Sequence, residues 1–312
     1  MSGVGSFTII VIPLLSGPAL EACLQRLSKI LQLDRVECLV VLADGEDAGD
    51  ISTWRLRYPT VRFLSASQPA VPLRRRQGVE AAHGEFVALI EDTSCPGPGW
   101  YQALSEGFDK PEVAAVCGPV DVSPTLPSRF QALGYTEYGR FHPCHTAQGK
   151  GPARTADAPR PAHRLPGNNL AYRRAPLLEA LPGSDGGLFE DEVNERLRSQ
   201  GFQLLMHPSM LVTYCRIDRH GARLSTRLQH GRLYAARRSA GRSWLVRLAL
   251  LAKSVTLPVI LPARALSTVF RALPLSSIPR VALWIGLLEG AWALGEAVGY
   301  LAGEGNALES WR

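Results

Sequence analysis

Two pairs of neighbouring carboxylates stand where a chain could use them for chemistry. Glu91 and Asp92 close the apolar run 86–90 and are followed by Thr93, while Glu190 and Asp191 open a stretch in which Val193 and Leu197 fall four apart. Carboxylate oxygens are the ligands that hard cations such as Mg and Mn prefer, and a carboxylate can also take a proton from a hydroxyl group during a displacement. Another acid, Asp44, follows the apolar run 38–42 in an Asp44-Gly45 pair, which is also a common turn sequence. Three cations stand together at Arg74-Arg75-Arg76, and two carboxamides, Asn168 and Asn169, follow Gly167.

Such groups act together only if the backbone gathers them. The runs 8–12, 38–42, 61–64, 86–90 and 113–116 are apolar and of strand length. They alternate with helical stretches: Leu20, Cys23, Leu24, Leu27, Ile30 and Leu31 recur at helical spacing, and 79–82 and 101–108 follow. Strands interleaved with helices predict an α/β fold with a mostly parallel sheet flanked by helices. Ligands on such a sheet bind beyond the carboxyl ends of the strands, where Asp44 and Glu91-Asp92-Thr93 fall. Glu190 and Asp191 fall in a first helical turn, where exposed N–H groups and the helix dipole stabilise carboxylates, so a cap and nothing more is the alternative reading. Residues 119–166, rich in Pro, Gly, His and Arg, carry little periodicity and predict a loop-rich segment on the substrate side.

Composition narrows the class. The 312 residues suffice for one large α/β domain plus an appendage, and with 46% hydrophobic and 20% charged residues the chain is too apolar for a disordered protein. No G-x-G-x-x-G follows the first strand, which argues against a dinucleotide oxidoreductase. Leu14-Leu15-Ser16-Gly17-Pro18 also lacks the Gly-rich basic phosphate loop of a nucleotidyltransferase. Six widely spaced cysteines without a C-x-x-C pair read as reduced, cytosolic thiols. The apolar N-terminal run has no basic region and no small-residue cleavage site, and its β-branched residues predict a first strand and not a signal peptide.

The formal net charge of +6 is unevenly spread. Residues 1–215 carry 20 Lys and Arg against 23 Asp and Glu, residues 216–280 carry 13 against 1, and residues 281–312 carry 1 against 4. The excess adjoins the most apolar part of the chain, which suits an anionic membrane surface; no nucleic-acid partner is expected, because no reading motif accompanies it. Within 244–262, Arg247, Lys253, Pro258 and Pro262 predict an interfacial or re-entrant segment and not a straight span. Residues 281–302 form an apolar stretch close to the roughly 20 residues that cross hydrocarbon. Its Glu289 and Glu296 lie seven apart on one helical face that must turn away from lipid, and Gly286/Gly290 and Gly295/Gly299 are spaced for close helix contact. An amphipathic helix docked on the catalytic domain is the alternative.

In chain order, Asp44-Gly45, Arg75 in the stretch 73–85 that ends Gly84-Glu85, Glu91-Asp92-Thr93 after its strand, Pro98-Gly99-Trp100, Gly167-Asn168-Asn169 and Glu190-Asp191 resemble the inverting family 2 glycosyltransferases of GT-A fold, of the membrane-associated bacterial type. The resemblance covers about residues 6–215. It implies transfer of a sugar from a nucleotide-sugar donor to a lipid or envelope-glycan acceptor at the membrane. It further implies that Asp44, Arg75 (the family's arginine in the corresponding loop), Glu91 and Asp92 contact the donor. Glu91 and Asp92 would hold a divalent metal, Mg or Mn, in place of the family's Asp-x-Asp. Asn168 and Asn169 would contact the acceptor, and Asp191 would be the catalytic base, with Glu190 as its orienting neighbour or an acceptor contact. Tyr214 occupies the position near which relatives carry a metal-binding His, and His207 lies close by in sequence. Ala43 and Thr93 replace acids of the family pattern, which keeps open a second reading: a non-catalytic glycosyltransferase-like binding or assembly protein. The expected organisation is a GT-A-like catalytic domain at 1–215, a basic juxtamembrane segment at 216–243 and membrane-associated helices at 244–312, with the catalytic domain cytoplasmic.

Overall fold

The structure, a computed structural model, describes residues 5–15, 17–43, 51–146, 158–183, 186–216 and 223–311; Asp44 and Gly45 lie outside the described residues. Contacts divide the chain into two compact units, Met1–Asp121 with Thr146–Cys215, and Val122–His145 with Arg216–Arg312.

The first unit is built on an eight-stranded sheet. Strands β1 (Phe7–Ile12), β2 (Val36–Ala43), β3 (Val61–Ala66) and β4 (Phe86–Glu91) run parallel in the order β3-β2-β1-β4, connected by α1 (Gly17–Leu27), α2 (Ile51–Arg57) and α3 (Val71–Ala81). Every residue of β1 and β4 is buried, as a strand covered on both faces requires, and this is why both read as unbroken apolar runs. After the short β5 (Ser94–Pro96) and α4 (Trp100–Glu106), β6 (Val113–Cys117) returns to the sheet and β7 (Val120–Val122) leaves it. The sheet is completed by β8 (Arg160–Pro161) at its edge, β9 (Asn169–Arg173) antiparallel to both β4 and β6, and β10 (Gln203–Met206) parallel to β6. Helices α7 (Arg174–Ala180) and α8 (Glu190–Ser199) precede β10, and β5, β11 (Val212–Tyr214) and β7 form a separate three-stranded sheet.

The second unit is helical: α5 (Ser128–Tyr138), α6 (Pro143–Thr146), α9 (Leu224–Ser239), α10 (Trp244–Ser254), α11 (Leu257–Ala272) and α12 (Ile278–Ala302). Helix α5 corrects the expectation of a loop-rich stretch at 119–166. Its Phe130, Ala132, Leu133 and Tyr135 are buried and it packs on α12, so a partner some 150 residues later supplies the stability that its own short pattern does not announce.

Helices α9 and α12 approach closely because a Cβ on Gly231 would strike the Trp292 carbonyl, one on Gly295 the Leu228 carbonyl and one on Gly299 the Arg232 carbonyl. Of the two expected glycine pairs, only Gly295/Gly299 is used in this way; a Cβ on Gly286 or Gly290 would meet open space. Both glutamates of α12 face the helical unit. Glu289 lies 3.6 Å from Arg227, which also sits over the Trp292 ring, and Glu296 accepts hydrogen bonds from Trp292 (2.6 Å) and Tyr300 (3.2 Å). Helices α10 and α11 meet at a 56° bend where Pro258 opens α11, and α12 is long and apolar enough, by length and composition, to cross a membrane.

Candidate functional site

The site begins in the first turns of α3. Pro72 sits where a helix start needs no N–H, and the three arginines that follow point to different neighbours. Arg74 is buried and donates to the Pro13 carbonyl at 2.7 Å, beyond the end of β1. Arg76 donates to the carbonyls of Pro182, Gly183 and Gly186 at 2.6–2.8 Å and pairs with Glu80. Arg75, 2% exposed, pairs with Glu91 at 2.9 Å, pairs with Glu190 and donates to the Gly167 carbonyl at 2.9 Å. The arginine expected on a loop is therefore a buried helical residue, tying the end of β4 to the start of α8. Gly167 has to be glycine here, since a Cβ would collide with the Glu190 carboxylate and crowd Arg75.

The acids at the end of β4 are buried and held in place. Glu91 also accepts from the Thr93 hydroxyl at 3.3 Å, so the hydroxyl that replaces an expected acid is spent on orienting its neighbour. Asp92 accepts the backbone N–H groups of Leu14 at 2.8 Å and Leu15 at 3.0 Å, fixing the loop that follows β1. No sequence signal marks that pair of donors, because every non-proline residue offers a backbone N–H.

The two carboxamides have separate tasks. Asn168, fully buried, donates to the Ser94 hydroxyl at 3.0 Å, and its Oδ1 has no hydrogen-bond partner among the described residues. Asn169 accepts the Trp100 indole N–H at 2.9 Å and gives both of its own N–H groups to the carbonyls of Pro119 (3.1 Å) and Met210 (2.7 Å). The Pro-Gly-Trp sequence thus acquires a reason: Gly99 adopts φ +78°, the left-handed region that favours glycine, and turns buried Trp100 toward Asn169. Gly84 has a comparable one, since a Cβ there would run into the backbone of Thr8, whose hydroxyl accepts the Gly84 N–H at 2.9 Å.

At the start of α8, Leu188 donates its N–H to the Pro72 carbonyl at 2.8 Å, and Val193 and Leu197 anchor the buried face. Glu190 turns inward to Arg75, whereas Asp191 is exposed. His207 is buried, its Nδ1 accepting the Ser209 N–H at 3.3 Å and its Nε2 3.5 Å from Glu106. Tyr214 stands opposite Ser94 in the β5–β11 ladder.

Among the described residues no three His, Cys, Asp or Glu side chains gather as a ligand cluster. The knot sets one cation, Arg75, between two carboxylates, Glu91 and Glu190, with Asp92 and Asp191 next to them in sequence. Glu91 is already held by Arg75 and Thr93, and Asp92 by two backbone N–H groups, so a cation at this strand end would take its other ligands from substrate phosphates and waters, the usual mode of Mg²⁺.

No family model matches the sequence, and no curated protein does. Solved structures do match. The mannosyltransferase PcManGT from Pyrobaculum calidifontis, in complex with GDP-Man and Mn2+, superposes with a TM-score of 0.55 at 16% identity, over 96% of this chain and 88% of that one. GalNAc-T7 with UDP, GalNAc and Mn2+ superposes with a TM-score of 0.51 at 13% identity, over 70% of this chain; the chain covers only 45% of that protein. The likeness establishes the fold as GT-A-like.

Proposed function

We propose that the chain is an inverting glycosyltransferase of family 2 type, moving a sugar from a nucleotide-diphosphate donor to a lipid or envelope-glycan acceptor at a membrane. The observation that carries this reading is the Arg75 knot. One guanidinium joins Glu91 at the end of β4 to Glu190 in the first turn of α8, which supports a site beyond the carboxyl end of that strand.

In this reading Asp191 takes the proton of the acceptor hydroxyl as that oxygen attacks the anomeric carbon opposite the leaving pyrophosphate. One base and one displacement invert the configuration. Glu190 acts through Arg75 as a positioning residue for the start of α8. Asn168 offers its unpaired Oδ1 to a hydroxyl of the bound sugar or acceptor, whereas Asn169 keeps the acceptor side in shape as a brace. Asp44 is assigned to the nucleotide base on the resemblance alone. A divalent cation held by Glu91 and Asp92 would neutralise charge on the departing pyrophosphate.

Isothermal titration with nucleotide sugars tests the reading. A UDP- or GDP-linked sugar is expected to bind, the bare sugar is not, and chelation of Mn is expected to weaken binding at least about tenfold, the loss of roughly 1.4 kcal/mol. Absence of binding by any nucleotide diphosphate at millimolar concentration with Mn present would leave the non-catalytic binding protein as the better reading.

Membrane association is supported by exposed apolar residues on the two bent helices and at the break between them, with Trp244 70%, Val255 75% and Val259 72% exposed, next to the arginine-rich segment. Arginine near an anionic bilayer contributes about 1 kcal/mol per residue, and buried apolar side chains add to it. The full chain is expected to co-sediment with vesicles containing phosphatidylglycerol and to be released by high salt. Replacing Trp244, Val255 and Val259 together by Ser should weaken that binding at least tenfold, and unchanged binding would remove the interfacial segment from the reading. The catalytic domain is assigned to the cytoplasmic side, where thiols stay reduced and nucleotide sugars are made.

A further inference from the structure

Cys95 and Cys215 are both free thiols, yet their Sγ atoms lie 2.6 Å apart. The small sheet builds this contact. Strands β5 and β11 pair antiparallel with Thr213 opposite Cys95 and Tyr214 opposite Ser94, and the Cys215 N–H continues the ladder to the Thr93 carbonyl at 2.9 Å. Cys95 and Cys215 are therefore diagonal neighbours on one face, a relation in which side chains reach each other across the ladder. The two differ in access, since Cys95 is nearly buried and Cys215 is half-buried.

We propose that Cys95 and Cys215 form a thiol–disulfide exchange site that reacts with low-molecular-weight disulfides of the glutathione class. In the first step the Cys95 thiolate attacks one sulfur of the small disulfide; a Cys95–S bond forms, the small molecule's S–S bond breaks, and one thiolate leaves with the electron pair and takes up a proton. In the second step Cys215, having released its proton to solvent, attacks the Cys95 sulfur and expels the second thiolate, which is protonated in turn. The balance is two protein thiols and one small disulfide going to one protein disulfide and two small thiols, the protein being oxidised by two electrons.

The electrostatics agree with that order of events. The hydrogen bond from the Cys215 thiol holds Cys95 down to about 7 against the opposing effect of burial, with Arg26 adding to the lowering, while Cys215 is pushed up by the same contact and by burial. Buried Cys38, by contrast, is pushed up to about 12 by burial and is a poor nucleophile. The site also has a consequence for its surroundings. Cys95 follows Ser94, which holds Asn168, and Cys215 is bonded to Thr93, which orients Glu91. A covalent link therefore clamps the strand that leaves the buried acids.

Full-length protein incubated with oxidised glutathione, alkylated and digested provides the test. Two of its six thiols are expected to be lost to alkylation, with Cys95 and Cys215 recovered as one cross-linked peptide that dithiothreitol separates. Cys215→Ser lacks the resolving thiol, so Cys95 is expected to stop at the glutathione adduct; Cys95→Ser is expected to lose the cross-link and most of the adduct. Serine is close to cysteine in size, and thermal melting of each variant checks that it is folded. Recovery of all six alkylated thiols, an adduct confined to Cys144, or a cross-link between other cysteines would overturn the proposal.

Discussion

Asp191→Asn is expected to lower turnover by about 10²-fold to 10⁴-fold, the usual contribution of a general base, while donor affinity stays nearly unchanged. Asparagine has almost the shape of aspartate but cannot take the acceptor's proton, and the lost interaction does not involve the pyrophosphate. The fold should barely notice the change. Asp191 is exposed in the first turn of α8, behind the cap position Phe189, so losing its charge should cost only the helix-dipole contribution of about 0.3–1 kcal/mol. Glu190→Gln supplies the contrast, because it breaks the pair with Arg75 and should disturb stability and turnover together. Turnover and donor affinity measured side by side decide the point: near-normal turnover in Asp191→Asn would take that residue out of the mechanism and leave the acid pair as a helix start.

Arg75→Met is expected to destabilise the first unit by about 3–5 kcal/mol, the usual cost of stripping one partner from a buried ion pair. The loss is large because Glu91, 6% exposed, would be left without the guanidinium, and the Gly167 carbonyl would lose its donor as well. Arg75→Lys should rescue little, since a single ammonium lacks the planar fork that reaches Glu91, Glu190 and the Gly167 carbonyl at once. Adding Glu91→Gln to Arg75→Met removes the stranded acid and is expected to recover part of the stability but not donor binding. Denaturant unfolding read alongside titration with a nucleotide sugar separates the two effects, and a wild-type unfolding midpoint for Arg75→Met would mean that the knot does not hold α8 to β4.

Much of the architecture was legible in consecutive residues. The runs that became β1, β2, β3, β4 and β6 were readable because a parallel strand covered on both faces needs an unbroken apolar sequence, and Pro258 marked a break because proline cannot continue the preceding helix. Glu289 and Glu296 announced the inward face of α12 through their spacing alone. The partners were another matter. Arg75 could be singled out but not paired, since Glu91 and Glu190 stand 16 and 115 residues away from it. Asn168 and Asn169 looked equivalent, yet among the described residues the fold gives the Oδ1 of the first no partner and spends both N–H groups of the second on Pro119 and Met210. Nor did six scattered cysteines suggest that two of them meet across the β5–β11 ladder. Backbone hydrogen bonding and burial constrain neighbours along the chain, so the sequence by itself determined the buried strands and the long apolar helices, whereas α5 needed its distant partner α12. The partner of a buried charge or thiol is chosen by which distant elements cross, and that was decided only when the tertiary structure closed.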